Sequence, residues 1–334
     1  EKSFTPEGID IFPDARAKPL QTLTLGKAIE ARFGAPYAVM HRADLLEALH
    51  AAARRFANID IVFSVADFTL ESSGDALTVT AQEPDGKTRK AKPFAFVGAD
   101  GVRSVTRTRD LGGPDAQYSG KVAWRALVPP EALAGVLDLD RTSLFLDPRF
   151  HLVAYPLPHR NAVNLALFTQ EDERDLSVLD QRAPRVNPRK DSRLAHILES
   201  VGEGWTPWVL SSVETPVWHK GPIGLIGDAA HAMSPAGGVG INLAIQDAVA
   251  TARILRNPLR AGTVTERDLE AVQQRRMMPT RIIQAMQRVL HRVVFQNGFQ
   301  SGRAGPPRLM LFLARHVPGF RKLPARFIAF GPHP

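Results

Sequence analysis

The feature that most restricts the fold of this chain is the segment 224–247, which has the sequence GLIGDAAHAMSPAGGVGINLAIQD. Its apolar start predicts a buried strand, and Asp228 follows at the carboxyl end of that strand. Pro235 and three glycines then predict a tight loop, because a residue without a Cβ lets the backbone approach a ligand closely. The loop leads into a predicted helix that begins near Gly240. The segment therefore predicts a ligand-binding unit of the α/β type.

Each part of this segment has a chemical use. A carboxylate at a strand end, here that of Asp228, can accept hydrogen bonds from ribose or ribityl hydroxyls. The free N–H groups at the start of the following helix suit a phosphate, or the negative charge on a reduced flavin ring. Strand–loop–helix units with purely structural roles are common, but they do not require an acidic residue, a proline, three glycines and Asn242 together. We therefore interpret the segment as a cofactor site.

The composition excludes several other classes of protein. The chain has 334 residues and no cysteine, which excludes disulfide scaffolds, zinc–thiolate sites, cysteine nucleophiles and iron–sulfur clusters. No apolar run approaches the roughly 18–20 residues that span a bilayer. No Gly-x-Ser-x-Gly motif supports a hydrolase. The histidines lack the spacing of a metal site, so we expect no metal ion.

The net charge of +8 is concentrated towards the C-terminus. Residues 251–334 contain 15 Lys and Arg but only three Asp and Glu. These arginines alternate with apolar residues at helical spacing, which favours the solvated face of packed helices. No nucleic-acid-binding motif is present, so we expect no nucleic-acid partner. A weak contact of this basic region with an anionic membrane surface stays open.

The remaining hydrophobic patterns predict a mixed α/β (α+β) chain. A helix is predicted over 41–56, and helical structure again from 265 onwards. Short strands are predicted at 59–64, 75–82 and 94–97. Four further stretches with apolar alternation predict an antiparallel sheet: 121–128, 143–146, 151–156 and 162–169.

Taken together, these motifs resemble those of the FAD-dependent aromatic hydroxylases, the para-hydroxybenzoate hydroxylase and salicylate hydroxylase group of flavoprotein monooxygenases. The Gly-Asp motif of that family matches Gly227–Asp228, and its Pro-x-Gly-x-x-Gly-x-Asn-Leu-Ala stretch matches residues 235–244. Its Asp-Gly motif matches Asp100–Gly101, a pair that alone is a common turn. The residues that the resemblance implies for FAD binding are Arg42, Asp100, Gly101, Gly227, Asp228, Pro235, Gly237, Gly238, Gly240, Ile241 and Asn242.

The resemblance also implies a domain organisation. A Rossmann-like FAD-binding domain comprises two parts, residues 1–112 and 217–265. A substrate-binding antiparallel sheet lies between them at 113–216, and a C-terminal helical region follows at 266–334. No Gly-x-Gly-x-x-Gly occurs in the sequence, and residues 1–30 contain only Gly8 and Gly26. We therefore expect an N-terminally truncated FAD-binding domain that binds FAD weakly and forms homo-oligomers through unpaired strand edges.

The function implied by the resemblance is an NAD(P)H-consuming, FAD-dependent monooxygenase of the cytoplasm. It would hydroxylate a small aromatic acid or phenol with molecular oxygen through a flavin C4a-hydroperoxide. His151 and Tyr155 are the candidate catalytic residues, since either could contact a phenolic substrate, although a histidine in a strand often serves packing alone. Two alternatives stay open: another flavin oxidoreductase, such as an epoxidase or a dehydrogenase of an apolar substrate, and a truncated binding domain without activity.

Overall fold

The computed structural model describes residues 2–13, 19, 21–24, 29–31, 34–73, 76–147, 150–188, 192–235 and 238–291. The strands within these ranges are β1 (Ser3–Phe4), β2 (Gly8–Pro13), β3 (Gln21–Thr24), β4 (Val39–Met40), β5 (Asp67–Ser73), β6 (Ala76–Gln82), β7 (Thr88–Ala91), β8 (Phe96–Gly98), β9 (Gln117–Val128), β10 (Thr142–Leu146), β11 (Phe150–Leu157), β12 (Ala162–Gln170), β13 (Thr206–Ser212), β14 (His219–Lys220) and β15 (Ile223–Leu225). The α-helices are α1 (Arg42–Ala53), α2 (Leu176–Leu179), α3 (Arg193–Val201), α4 (Asp228–His231), α5 (Gly240–Ala261) and α6 (Glu266–His291).

The chain divides into two compact units. The first comprises the residues up to 53, Gly120–Leu210 and the residues from Arg288. The second comprises Arg54–Ser119 and Ser211–Gln287. Each unit thus combines segments that are distant in sequence. The domain boundaries expected from the family resemblance stay a prediction.

The first unit is built on one large sheet. Its strands lie in the order β13-β9-β12-β11-β10-β2-β3 among the described residues. The neighbours from β9 to β10 run antiparallel, which confirms the sheet predicted from the four alternating stretches. The sequence did not predict that β2 would join this sheet, where it pairs with β10 in parallel.

Alternation along these strands places apolar side chains on one face of the sheet. Trp124, Leu152 and Leu165 are fully buried there, because successive side chains of a strand point to opposite faces. Helix α3 contributes Leu194 and Ile197 to the same core. The opposite face carries residues of mixed polarity, among them the exposed Arg125 and the half-buried Tyr155 and Asn164.

The second unit contains two small sheets. In one, β8 and β15 run parallel, with β14 beside β15. In the other, β5, β6 and β7 form an antiparallel meander. The apolar core beside the parallel sheet includes Trp218, Leu225 and Ala229. Helices α5 and α6 confirm the helical structure predicted after Gly240 and beyond 265.

The strand predicted at 59–64 is wrong. These residues form no regular structure, and Ile59 and Phe63 are 46% and 63% exposed. Their alternation is typical of a strand, but no described strand pairs with them, and β-propensity alone does not hold a strand without a hydrogen-bonded neighbour.

No helix in the described ranges is both long and apolar enough to cross a membrane. The part of the predicted C-terminal helical region from 292 to 334 lies outside the described residues.

Candidate flavin site

The parallel pairing of β8 with β15 brings the two sequence motifs of the second unit to one edge of a sheet. Gly98 at the end of β8 accepts a hydrogen bond from the backbone N–H of Ile226, which extends the pairing by one residue (3.0 Å). Asp100 and Asp228 follow these strands directly. Because the carboxyl ends of parallel strands meet at the same sheet edge, this is where an α/β sheet binds its ligand.

The two acidic residues have different surroundings. The Asp100 carboxylate accepts hydrogen bonds from Ser104 Oγ (2.6 Å) and from both the N–H and the Oγ1 of Thr106 (3.0 Å each). Burial alone would raise the pKa of Asp100, but these hydrogen bonds outweigh it and hold the pKa below its usual value. Asp100 therefore orders the turn that follows β8, and its predicted contact with the FAD pyrophosphate region stays a prediction.

Asp228, in contrast, offers its carboxylate outward. It is exposed at the first position of α4. Within the part of the chain that the structure describes, no hydrogen bond or ion pair uses this carboxylate. Gly227 precedes it with φ +59° and ψ −143°, a conformation open to glycine but strained for other residues. The turn at Gly227 thus presents a free carboxylate at the sheet edge, as the sequence predicted.

The loop before α5 leaves room for a ligand. Gly238 has φ +65°, and a Cβ built there or at Gly240 would meet no atom of the described residues within 4 Å. No side chain within the described ranges caps the start of α5. Ile241, 46% exposed, and Asn242, also exposed, lie in its first turn. Gly237 lies outside the described residues.

Sequence reasoning missed Arg107, which holds the two motifs of this edge together. Its side chain is 1% exposed and donates to three backbone carbonyl oxygens, those of Val102 (2.7 Å), Pro114 (2.8 Å) and Ala229 (2.9 Å). The bond to Ala229 joins the turn after β8 to helix α4. The sequence carries no signal that sets Arg107 apart, since Arg103 and Arg109 in the same segment are exposed.

A second group that sequence reasoning missed surrounds Asp247, which is fully buried. Its carboxylate accepts hydrogen bonds from the N–H of Gly227 (3.0 Å), from His231 Nε2 (2.5 Å) and from Arg276 Nε (2.7 Å). Burial would raise the pKa of Asp247, but the bonds from His231, Arg276 and Gly227 outweigh it and lower the pKa. We call these four residues the Asp247 cluster.

The other predicted site residues lie in the first unit. Arg42 is exposed at the first position of α1 and makes no hydrogen bond to a described residue. Two residues further along the helix, Asp44 is 3% exposed and holds the helix in place. It accepts two hydrogen bonds from Arg160 (2.6 and 2.9 Å) and contacts His159 Nε2 (2.7 Å). This ion pair fixes the helix start from which Arg42 extends.

The two candidate catalytic residues lie on β11 and share one face of the strand, four residues apart. His151 is 7% exposed, and its ring stacks on that of Phe168, with the ring centres 4.3 Å apart. Tyr155 is half-buried, and burial raises the pKa of its hydroxyl, while the nearby Arg125 acts in the opposite direction. The packing of His151 is that of a core residue, whereas Tyr155 is the more accessible of the two.

No group of three or more His, Asp or Glu side chains that could hold a metal ion occurs in the described ranges. The site residues of the second unit instead offer a free carboxylate, open glycine backbone and an uncapped helix start. These are the features of a protein that binds a nucleotide-type cofactor at the edge of a parallel sheet.

Comparison with known families indicates which nucleotide-type cofactor belongs to this site. The model of the FAD binding domain family matches residues 27–286, and the chain belongs to that family. The resemblance to FAD-dependent aromatic hydroxylases, inferred from the motifs, is thereby confirmed together with the mixed α/β fold class.

The relatives with curated functions include hydroxylases of small aromatic acids. The chain is 29% identical over 236 residues to a 3-hydroxybenzoate 6-hydroxylase of Polaromonas naphthalenivorans, covering 69% of this chain and 58% of the relative. It is 30% identical over 247 residues to a 3-amino-4-hydroxybenzoate 2-monooxygenase of Streptomyces platensis, covering 71% and 59%. The matched part thus spans less than two thirds of the relatives' length.

Solved structures agree on the fold. HpxO of Klebsiella pneumoniae, in complex with FAD and uric acid, superposes with a TM-score of 0.70 at 20% identity, covering 99% of this chain and 80% of HpxO. A salicylate hydroxylase in its substrate complex gives a TM-score of 0.62 at 25% identity, with 87% and 74% covered. At 20% identity, the likeness to HpxO concerns the fold alone.

The ion pair of Asp44 leads to a prediction about stability and pH. Hydrogen bonds from Arg160, and then from His159, lower the pKa of Asp44 against the effect of burial. A carboxyl group with a lowered folded-state pKa contributes its full stabilisation above its unfolded-state pKa of about 3.9. This stabilisation decreases below that pH and is lost as the pH falls through the folded-state pKa. Asp44→Asn should therefore lower Tm at pH 7, and its Tm difference from the unmodified chain should shrink between pH 5 and pH 3.

Thermal unfolding followed by circular dichroism measures this difference. Asp172→Asn is the control, because Asp172 is exposed and forms no bond to a described residue. A Tm difference for Asp44→Asn that stays constant from pH 7 to pH 3 would contradict the assignment.

Proposed function

We propose that this chain is the flavin-binding and substrate-binding part of an FAD-dependent monooxygenase that hydroxylates a small aromatic acid. The observation that carries the proposal is the Asp228 carboxylate, which no described residue engages, together with the unobstructed backbone at Gly238 and Gly240, at the edge where β8 and β15 end. Membership of the FAD binding domain family and the curated hydroxylase relatives support it.

The residues at this edge fit a flavin nucleotide. Asp228 can accept hydrogen bonds from ribityl hydroxyls, because no described residue donates to its exposed carboxylate. The backbone at Gly238 and Gly240 can lie against a planar ring, because a Cβ added at either glycine would meet no atom of the described residues within 4 Å. The N–H groups and dipole at the start of α5 favour negative charge on that ring. Ile241 offers an apolar contact and Asn242 a polar one.

When bound, the flavin would accept a hydride from NAD(P)H and supply the oxygen chemistry of the hydroxylation. The chain's own residues bind and orient it. Asp228 would hold the ribityl chain, and the first turn of α5 would bind the ring. For Arg42, whose guanidinium no described residue engages, the contact with the FAD diphosphate rests on the family resemblance alone. Hydrogen bonds of Asp100 and Arg107 stabilise the conformation of the turn after β8.

The outer face of the large sheet in the first unit carries groups suited to an aromatic acid. Tyr155 on β11 lies opposite Asn164 of β12, and Arg125 of β9 is exposed on the same face. A guanidinium recognises a carboxylate, and a phenol or amide can hydrogen-bond a ring hydroxyl. The relatives' names specify hydroxybenzoates, which carry both groups. We propose that Tyr155 contacts the substrate hydroxyl and that a hydroxybenzoate is the substrate class.

NAD(P)H as the electron donor, molecular oxygen as co-substrate and a cytoplasmic location complete the proposal, and they rest on the family resemblance. A second role for His151 as a proton acceptor rests on the same basis. Its stacked position beside Phe168 makes Tyr155 the stronger candidate for contact with the substrate.

The first prediction of the proposal concerns flavin affinity. Asp228→Ala removes a charged acceptor of hydrogen bonds worth roughly 1.5–3 kcal/mol, so the Kd for FAD should rise about ten- to a hundredfold. Titration of FAD fluorescence measures the change. Asp172→Ala is the matched control, since it removes another exposed carboxylate that pairs with no described residue. Equal Kd values for the two variants would reject Asp228 as a flavin ligand.

The second prediction separates a hydroxylase from another flavin oxidoreductase. With FAD and NAD(P)H present, 3-hydroxybenzoate should accelerate both NAD(P)H oxidation and oxygen consumption. Under ¹⁸O₂, mass spectrometry should find one labelled oxygen atom in the product. Reduction of an artificial electron acceptor with no label in any product would support a dehydrogenase instead.

A further inference from the structure

The Asp247 cluster lies directly behind the proposed flavin carboxylate. It joins three segments of the second unit: the turn at Gly227 together with helix α4, which follows it directly and contributes His231, helix α5 through Asp247, and helix α6 through Arg276. Arg276 also donates to Gln246 Oε1 (3.0 Å). One buried carboxylate therefore connects the segment that carries Asp228 to both long helices.

The cluster is closed to solvent. Asp247 is fully buried, His231 is 2% exposed and Arg276 is 8% exposed. The ring of His231 also packs against Trp218, with ring centres 5.1 Å apart. His231 Nδ1 is buried and has no hydrogen-bond partner among the described residues. The ring is therefore oriented through Nε2, which donates to Asp247.

The hydrogen bond to Gly227 gives the cluster a direct link to the site. Oδ2 of Asp247 accepts both the Gly227 N–H and the His231 Nε2–H, while Oδ1 accepts from Arg276. Gly227 and His231 flank Asp228 on either side in the sequence. The same oxygen atom thus fixes the backbone one residue before Asp228 and the side chain three residues after it.

The close packing of Gly227 leaves the turn little freedom to adjust on its own. A Cβ built at Gly227 would lie 3.2 Å from Cβ of Ala244 on α5, so the turn already touches that helix. Any shift of the Asp247 carboxylate would therefore move the turn against α5 and change the direction in which Asp228 points.

We propose that Asp247 is a positioning residue for flavin binding: it sets the direction of the Asp228 carboxylate by holding Gly227 and His231 with one oxygen atom while Arg276 anchors the other. This inference rests on the proposed function of Asp228. It assigns to Asp247 a role in flavin affinity that acts through Asp228 and without any contact of its own with the flavin.

The substitution Asp247→Asn tests the role with little change of shape. An amide has one oxygen and one NH₂ group, whereas all three partners of Asp247 are donors in the cluster. If the NH₂ group faces Arg276, two donors meet. If it faces Gly227, the backbone N–H loses its acceptor, although His231 can adapt by moving its proton to Nδ1. One orientation therefore disturbs the contact with Arg276, and the other disturbs the turn at Gly227.

A double-mutant cycle on FAD affinity separates positioning from general destabilisation. In the otherwise unmodified chain, Asp247→Asn should raise the Kd for FAD about tenfold or more. In the Asp228→Ala background the same substitution should change Kd less than about twofold, because the carboxylate to be positioned is gone. Titrations are made well below the Tm of every variant. Asp175→Asn, which alters an exposed cap of α2 in the first unit, is the control and should leave Kd unchanged.

A second readout needs no flavin. Hydrogen–deuterium exchange of the peptide containing residues 224–231 should accelerate in Asp247→Asn and stay unchanged in Asp175→Asn, because the Gly227 N–H loses its buried acceptor. Unchanged exchange in this peptide would overturn the proposed link to the turn.

The outcomes distinguish this inference from the proposed function. If Asp228→Ala leaves Kd unchanged, the proposed flavin role of Asp228 is wrong, and the inference that depends on it is wrong as well. If Asp228→Ala weakens FAD binding but Asp247→Asn weakens it equally in both backgrounds, the proposed function stands and the positioning role is wrong.

Discussion

The parallel pairing of β8 with β15 is the contact on which the candidate flavin site depends. It places Asp100 and Asp228 at the same edge of a sheet, although 127 residues separate Gly98 from Leu225, its partner in the pairing. Two buried groups reinforce the pairing from outside the sheet. Arg107 connects the turn after β8 to α4, and the Asp247 cluster connects the turn after β15 to α5 and α6. The edge is thus held by buried side chains that leave its outer surface open.

The contrast between Asp100 and Asp228 shows how one residue type serves two purposes at this edge. Three of the hydrogen bonds that order the turn after β8 end on Asp100, so its charge is satisfied within the protein. Asp228 has no such donors among the described residues and stays available to a ligand. An exposed carboxylate that the fold positions but does not neutralise is a stronger indication of binding than one that caps a turn.

Much of this organisation could be predicted from the sequence because it is local. Alternation predicted β9 to β12, and the segment 224–247 predicted strand, turn, loop and helix in the correct order. The pairing of β2 with β10 and the unpaired state of 59–64 could not be predicted, since both depend on which distant strand is available. Arg107 and Asp247 were missed for the same reason: a charged residue in a turn or helix is ordinarily exposed, and only the fold shows that these two are buried.

The most direct test of this account is hydrogen–deuterium exchange of the intact chain with and without saturating FAD. The account predicts that FAD slows exchange in peptides that cover residues 226–246, while peptides from β10 and from α3 exchange as before. Slower exchange confined to other parts of the chain, with no change between 226 and 246, would contradict the claim that the edge formed by β8 and β15 binds the flavin.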